Sequence, residues 1–201
     1  MNTNTANAPV PRDPQRILDE YLAAAARAGD RAAWERLVTR WQPRLVRHAW
    51  RLTGSAELAR DMVQEAWVEI VRGLPRLDDV AAFPAWAYRI VTRRCQRSFA
   101  RADRERHSFA ALAREASEFA PDRASGEHAA ELAKVLAVMG ELPAAQRVAL
   151  ALFYLDNLSV AEIAVALDVP PGTVKTRLMH ARHKIRARLE GETHGQDRPT
   201  D

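Results

Sequence analysis

The sequence predicts an all-α protein of two small helical domains joined by a linker, and three observations support this. Apolar residues recur at helical spacing along most of the chain. No segment shows the convincing apolar–polar alternation of a half-buried strand. A charged, alanine-rich and weakly periodic stretch at 104–126 separates the two periodic regions. We therefore assign 15–103 and 127–190 to the domains, the second containing a helix-turn-helix.

Length and composition limit the class of protein. The chain has 201 residues, 47% hydrophobic and 28% charged, as expected for a globular protein of one large or two small domains. Its net charge of +4 is too small for a general nucleic-acid coat, so any DNA contact must come from local patches. Its single cysteine, Cys95, excludes an internal disulfide and fits a reducing compartment.

The two ends of the chain bear on its location. The polar segments at 1–14 and 191–201 are predicted to be disordered tails. The first of them lacks the apolar core of a signal peptide, and no apolar run is long enough to span a bilayer. We therefore expect a cytoplasmic protein without membrane insertion.

The segment Leu158–Ile185 is the most informative part of the chain, because it has the pattern of two short helices around a tight turn. Ser159 and Glu162 form a capping-box pattern at the start of the first helix. Asp168 occupies the turn, where its short polar side chain tolerates a left-handed backbone. The two prolines that follow end the first helix and open the second. The pattern predicts a helix-turn-helix, whose second helix enters the DNA major groove.

A helical wheel divides that second helix into an apolar face and a basic face. The apolar face consists of Val174, Leu178, Ala181, Ile185 and Leu189. The opposite face carries Thr176, Met179, His180 and His183, flanked or extended by Lys175, Arg177, Arg182, Lys184, Arg186 and Arg188. Ordinary solvated helices, the alternative interpretation, usually mix charges, whereas no acid occurs from Pro171 to Leu189. The two histidines lack further nearby ligands, so we expect no metal site.

In the first domain, a very regular helix is predicted over 56–73. Its wide apolar stripe consists of Ala59, Met62, Val63, Ala66, Trp67, Ile70, Val71 and Leu74. The opposite, polar face carries Asp61, Gln64, Glu65, Glu69 and Arg72. Ordinary solvation of these polar residues is the alternative to a binding role.

A second basic region closes the first domain. Its seven arginines are Arg89, Arg93, Arg94, Arg97, Arg101, Arg104 and Arg106, and they follow the aromatic residues Phe83, Trp86 and Tyr88. Arginines beside aromatic rings suit a nucleic-acid strand whose bases are unstacked. Two alternatives stay open, namely that Trp86 packs in the core and that the arginines complement the helix dipole. Complementing a helix dipole takes only one or two cations, so seven arginines exceed what that alternative requires.

The chain resembles the extracytoplasmic-function (ECF) sigma factors, bacterial subunits that direct RNA polymerase to promoters. The matching blocks, in order, are AGDRAAWERLVTRW, LTGSAELARDMVQEAWVEIVRGL, FPAWAYRIVTRR and ELPAAQRVALALFYLDNLSVAEIAVALDVPPGTVKTRLMHARHKIRARL. They extend from about Tyr21 to Leu189. Many regulators share a helix-turn-helix, but both domains in this order and at this length form a strong signal.

The resemblance implies a role for each surface. Docking on core RNA polymerase would involve Asp61, Gln64 and Glu65. Reading of the single-stranded −10 element would involve Trp86, Tyr88, Arg89, Arg93 and Arg97. Reading of the −35 duplex would involve Lys175, Thr176, Met179 and His180, with phosphate contacts from Lys175, Arg177, Arg182 and Lys184. The polymerase carries out the chemistry, so the resemblance implies no enzyme activity and no cofactor. It also implies an anti-sigma factor as a partner.

Three positions depart from the residues usual in this family. Arg93 stands where asparagine is common, and a guanidinium does not supply the paired donor and acceptor of an amide. His180 replaces an arginine, and Met179 often an aromatic residue. Neutral histidine donates one hydrogen bond, whereas arginine offers guanine a bidentate fork. We therefore expect a promoter preference that differs from that of relatives.

Two other functions stay open on the residues alone. A stand-alone helix-turn-helix regulator would bind a palindromic site as a dimer, without polymerase. A helical interaction protein would bind an acidic protein through its basic helix and would not select DNA sequences.

Overall fold

The computed structural model describes residues 13–102 and 138–193, which form helices and, within these ranges, no strand. The helices of the first domain are α1 (Pro14–Arg27), α2 (Arg31–Thr53), α3 (Ala56–Gly73) and α4 (Phe83–Ala102), with 3-10 turns at Leu74–Arg76 and Val80–Ala82. Those of the second are α5 (Ala144–Tyr154), α6 (Val160–Leu167) and α7 (Pro171–Thr193), after a helical turn at 138–140. The predicted all-α fold of two domains is confirmed. The predicted linker at 104–126 lies outside the described residues.

Side-chain caps fix where the helices of the first domain begin. The Asp30 carboxylate accepts a hydrogen bond from Ala33 N at 3.1 Å and so caps α2. The Ser55 hydroxyl caps α3 by accepting one from Leu58 N at 3.3 Å. The start of α1 at Pro14 falls inside the predicted tail, because Asp13 caps this helix and proline is favourable in its first turn.

An aromatic cluster forms the centre of the first domain, where α2 meets α4. The ring of Trp41 lies edge-to-face with those of Phe83 and Tyr88, at centroid distances of 5.2 and 5.6 Å. His48 completes the cluster, with its ring 4.9 Å from Tyr88 and its Nε2 2.9 Å from Thr92 Oγ1. Burial, aided by the positive charge of Arg51, lowers the pKa of His48 to about 3. His48 is therefore a neutral core residue at physiological pH.

The second domain packs α7 against α5 and α6 through the predicted apolar face. Val174, Leu178 and Ala181 are buried and Ile185 is half-buried, which confirms the wheel for these four positions. The fifth position, Leu189, has a side chain outside the described part. Burying one side of α7 leaves the opposite side for solvent or a ligand.

The two domains also pack on each other. Helix α4 of the first domain lies along α6 of the second, and α2 contacts α5. Buried side chains of both domains form one continuous cluster. Within the described ranges, no helix combines the length and the apolar character that a membrane crossing requires.

Candidate nucleic-acid and polymerase interfaces

The helix-turn-helix has the local geometry that its sequence predicts. Both hydrogen bonds of the capping box are present, from Ser159 N to Glu162 Oε2 at 2.7 Å and from Glu162 N to Ser159 Oγ at 3.3 Å. Asp168 adopts the left-handed conformation, with φ 56° and ψ 48°, and ends α6. Helix α7 then begins at Pro171. These contacts fix the direction in which α7 leaves the turn.

The predicted −35 residues lie on the solvent side of α7. The exposed ones are Lys175, Thr176, Met179, His180, Arg182 and Lys184, and Arg177 is half-buried. Among the described side chains of α7, the cation that pairs with a carboxylate is Arg188, near the C-terminal end of the helix. Its Nη2 lies 2.6 Å from Glu141 Oε2. The other cations of the helix are therefore available to phosphates.

Two aromatic rings of α5 hold the guanidinium of Arg182. Its Nε donates a hydrogen bond to Tyr154 Oη at 3.0 Å, and its Cζ lies 5.3 Å from the ring centre of Phe153 and 5.6 Å from that of Tyr154. The bond uses Nε, so the Nη groups can still donate to a phosphate. The sequence interpretation missed Tyr154. The sequence does contain a signal for it, because Phe153 and Tyr154 form an aromatic pair just before the helix-turn-helix.

The predicted −10 residues fall on two sides of α4. Trp86, Arg89, Arg93 and Arg97 follow one another at three- or four-residue spacing and so share a face. Tyr88 lies about 200° round the helix from Trp86 and is only 1% exposed. Its ring is part of the aromatic cluster, so it offers no surface to DNA. The prediction that Tyr88 contacts the −10 strand is contradicted by this burial.

Trp86 belongs partly to the core. Its indole packs against the end of α3, so closely that a Cβ placed on Gly73 would lie 2.7 Å from Cζ2 of the ring. The side chain is only half-buried, and helical spacing places it on the same face of α4 as Arg89 and Arg93. The interpretation of Trp86 as a core residue is therefore correct in part.

The arginines of α4 differ in their partners. Arg89 and Arg93 donate hydrogen bonds to the two carboxylate oxygens of Asp168, at 2.9 and 3.3 Å. Arg94 points to the other side and pairs with Glu65 at 2.8 Å and with Glu69 at 3.0 Å. Arg97 is exposed. The side chains of Arg101, Arg104 and Arg106 lie outside the described part of the chain.

The polar face of α3 carries more than the predicted polar residues. Asp61, Gln64 and Glu65 are all exposed on it. Val68 and Val71 are exposed by 48% and 50%, and the helical spacing places them beside these three. The assignment of Val71 to the apolar stripe that faces the core is therefore wrong. The apolar stripe of α3 is wider than the surface that the neighbouring helices cover, so Val71 at its edge stays exposed. Two neighbouring exposed valines on one helix face offer a partner protein apolar area to bury.

The sequence predicted no metal site, and the described histidines bear on that prediction. Within the described ranges, no group of three or more histidine, cysteine, aspartate or glutamate side chains is arranged to hold a metal ion. His180 and His183 are both exposed on α7. The three exposed surfaces are cationic on α4 and α7 and mixed acidic and apolar on α3.

Comparison with known proteins identifies the family. Residues 37–105 match the family described as Sigma-70 region 2, and residues 132–185 match Sigma-70, region 4. The ECF RNA polymerase sigma-E factor of Escherichia coli (strain K12) is 31% identical over 180 residues, which cover 85% of this chain and 94% of that protein. This chain belongs to the ECF sigma factors.

Other relatives agree with this ECF assignment. The RNA polymerase sigma-H factor of Pseudomonas aeruginosa is 29% identical over 182 residues, or 86% of this sigma factor and 94% of the relative. The solved complex of CnrH with the cytosolic domain of CnrY matches with a TM-score of 0.58 and 25% identity, over 87% of this chain and 98% of that one. The sigma factor RpoE with the anti-sigma factor NepR, from Bartonella quintana, matches in fold, with a TM-score of 0.59, 18% identity and coverages of 82% and 98%.

Membership of this family confirms the predicted function over the two alternatives. As an ECF sigma factor, the protein is an alternative sigma factor for transcription initiation by RNA polymerase, and it is not an enzyme. Neither the stand-alone regulator nor the interaction module receives support from any of the matches. The roles of individual residues remain predictions.

Proposed function

We propose that this sigma factor reads the −35 duplex with α7, reads the opened −10 strand with α4, and docks on core RNA polymerase with α3. The observation that carries the proposal is the exposed face of α7, the second helix of a well-formed helix-turn-helix, which bears cations beside Thr176, Met179 and His180. In that geometry the second helix enters the major groove and its exposed side chains reach base edges.

The exposed residues of α7 divide into two groups. Thr176, Met179 and His180 are proposed to contact base edges, since they occupy the side opposite the core. Lys175, Arg177, Arg182 and Lys184 are proposed to contact phosphates, which position the protein without specifying the sequence. Because Tyr154 and Phe153 already orient Arg182, this arginine loses little conformational freedom when it binds.

For the −10 element, the proposed contacts are those on one face of α4: the outer part of Trp86 with Arg89, Arg93 and Arg97. The bases of a single strand stack on an aromatic ring, and the guanidinium groups attract its phosphates. The position of Arg93, one helical turn beyond Arg89, supports a continuous basic track along this face.

Polymerase docking is proposed for the exposed face of α3. Asp61, Gln64 and Glu65 supply its polar contacts, and the half-exposed Val68 and Val71 supply apolar area. A face of this mixed character combines electrostatic steering with burial of apolar surface.

We also propose a cytoplasmic location and control by an anti-sigma factor. A protein that works with RNA polymerase on promoter DNA must share their compartment. RpoE of Bartonella quintana has been solved in complex with the anti-sigma factor NepR, and CnrH in complex with the cytosolic domain of CnrY. The similar fold of this chain supports a partner of the same kind.

Reconstituted transcription tests the function. With bacterial core polymerase and a library of DNA fragments, the chain is expected to direct initiation to a defined set of start sites. Lys175→Ala should reduce use of all these promoters, by about 1 kcal/mol of binding free energy or roughly fivefold, because it removes a phosphate contact. Changes at Thr176 or His180 should instead alter which sites are used. Initiation that is the same with and without the chain would refute the proposal.

Tyr154→Phe tests the positioning of Arg182. The substitution removes the hydroxyl that accepts the Arg182 Nε hydrogen bond and keeps the ring. We therefore expect the affinity of the polymerase complex for promoters with a −35 element to fall by about two- to tenfold. The measurement is the promoter occupancy of the polymerase complex. Tyr21→Phe, at an exposed tyrosine of α1, is the matched control. In an Arg182→Gln background, Tyr154→Phe should have no further effect. A full additional loss there would contradict the positioning role.

A further inference from the structure

We propose that Thr176 and Met179 make α7 a reader of methyl groups in the major groove, so that its −35 preference depends on the C5-methyl of a pyrimidine. Thymine carries that methyl group, and so does 5-methylcytosine. The inference rests on the proposed −35 role of α7 and names the chemical group that its exposed face selects. Adding or removing single methyl groups in the −35 element then changes promoter strength while base pairing stays the same.

The exposed side of α7 has a centre without cations. Four exposed side chains form this centre, namely Thr176, Met179, His180 and His183. Because successive residues of a helix are about 100° apart, Lys175 and Arg177 lie about 100° to either side of Thr176. The remaining described cations of the helix lie about 80° or more from Thr176, and they are Arg182, Lys184, Arg186 and Arg188. In a major groove the centre would therefore face base edges, with the cations toward the two phosphate strands.

Thr176 offers this centre a methyl group, because its hydroxyl proton is already engaged. Thr176 Oγ1 donates a hydrogen bond to the Gly172 carbonyl, one helical turn earlier, at 3.1 Å. The proton is therefore used within the helix and does not serve as a donor to the acceptor atoms of guanine. What the side chain keeps for a base is its methyl group and an oxygen lone pair, which only accepts.

Met179 enlarges the apolar surface at the centre of α7. Its side chain is 57% exposed, although it is long and apolar. It follows Thr176 by three residues, so the two side chains are neighbours on one face of the helix. A thioether has no polar hydrogen and accepts hydrogen bonds only weakly, so Met179 favours apolar groups. The apolar group at a base edge in the major groove is the C5-methyl, which these two side chains would remove from water.

Guanine reading has less support at the centre of α7. The two acceptors of guanine, O6 and N7, are best matched by two donors on one side chain, as in a guanidinium. The arginines of α7 lie at the margins, and Arg182 is also bound to Tyr154 through its Nε. His180 and His183 each have one donor when neutral. Methyl contact is therefore the base readout that two side chains of the centre can supply together.

Base analogues test the proposal without changing base pairing. A promoter that the chain selects with core polymerase is synthesised with deoxyuridine in place of each −35 thymine, which removes one methyl group. A second set carries 5-methylcytosine in place of each −35 cytosine, which adds one. If thymine supplies the methyl, at least one deoxyuridine should lower the affinity of the polymerase complex about three- to fivefold. If 5-methylcytosine supplies it, at least one methylated cytosine should raise the affinity by a similar factor. An affinity that is the same for every analogue would overturn the proposal.

Thr176→Ser links the methyl group of the DNA to that of the protein. Serine lacks the methyl group and can keep the hydrogen bond to the Gly172 carbonyl, so the affinity should respond less to the analogues. Thr39→Ser is the matched control. Thr39 is exposed on α2, and its hydroxyl makes the same kind of bond, to the Glu35 carbonyl at 2.8 Å. This control should leave the response to the analogues unchanged.

Two further variants distinguish methyl contact from other kinds of readout. Met179→Gln keeps the length of the side chain but makes it polar, so it should also reduce the response to the analogues. Thr176→Val keeps a methyl group and loses the hydroxyl, so the ratio of affinities between thymine and deoxyuridine promoters should persist. A full response in both Thr176→Ser and Met179→Gln would overturn the proposal, because the methyl would then act through DNA shape. A lost response in Thr176→Val would also overturn it, because the hydroxyl would then be the reading group.

The same reconstituted system separates this inference from the proposed function. If the unchanged chain directs no initiation, the proposed function fails. If it directs initiation at promoters whose affinity ignores every analogue, the −35 role stands and the methyl readout alone fails.

Discussion

Asp61→Arg is expected to weaken binding of this sigma factor to core RNA polymerase by about a hundredfold and to leave its helical content unchanged. Asp61 is exposed on α3 and forms no ion pair with any described side chain, so its replacement breaks no ion pair within the described part of the protein. Reversing a charge in a docking surface sets like charges against each other and costs roughly 3 kcal/mol. Titration with labelled core polymerase measures the loss.

The structure also shows which substitution to avoid in that experiment. Glu65 lies on the same face, but it pairs with Arg94 of α4, so Glu65→Arg would place two cations together inside the first domain. Glu35→Arg on α2 is the better control, because Glu35 is an exposed acid away from the docking face. Its pair with Arg31 joins side chains that are 64% and 91% exposed, so solvent screens the pair and its loss costs little. If Asp61→Arg retained the full affinity, or if Glu35→Arg lost as much, the docking assignment would be wrong.

Acid is expected to destabilise the first domain through His48. The unfolded histidine takes up a proton below its ordinary pKa of 6.5, whereas burial keeps the folded one neutral down to about pH 3. The unfolded state therefore binds more protons between these values, and stability is lost as the pH falls through this window. The slope is about 1.4 kcal/mol per pH unit, one of the largest effects expected for a single side chain here.

Urea unfolding between about pH 5 and pH 6.5 isolates this effect, because carboxylates such as Glu162 titrate at lower pH. The comparison is with His48→Gln, whose amide can still donate to Thr92 Oγ1 but carries no titratable group. Its stability should depend much less on pH. His180→Gln, at an exposed histidine, should retain the steep dependence. Parallel curves for the unchanged chain and His48→Gln would show that His48 is not the cause.

Much of the helix-turn-helix and of α3 is predictable because their determinants are local. The capping box of Ser159 and Glu162, the left-handed Asp168 and the range 56–73 all follow from residues within one or two helical turns of each other. Local signals of this kind need no knowledge of the rest of the fold.

The remaining features depend on contacts between distant segments. Tyr88 is adjacent in sequence to DNA-facing residues but lies on the core side of α4, and a wheel of that helix would have separated it from Trp86. The exposure of Val71 depends on how wide a groove the neighbouring helices leave. The pairing of Asp168 with Arg89 joins residues 79 positions apart, and the periodicity of a sequence predicts contacts only within a helix.

Position 168 has a consequence for the comparison of related chains. A glycine there would adopt the same left-handed backbone with less strain and would bring no carboxylate to α4. One column of an alignment therefore separates relatives that can form this ion pair between the helix-turn-helix and α4 from relatives that cannot.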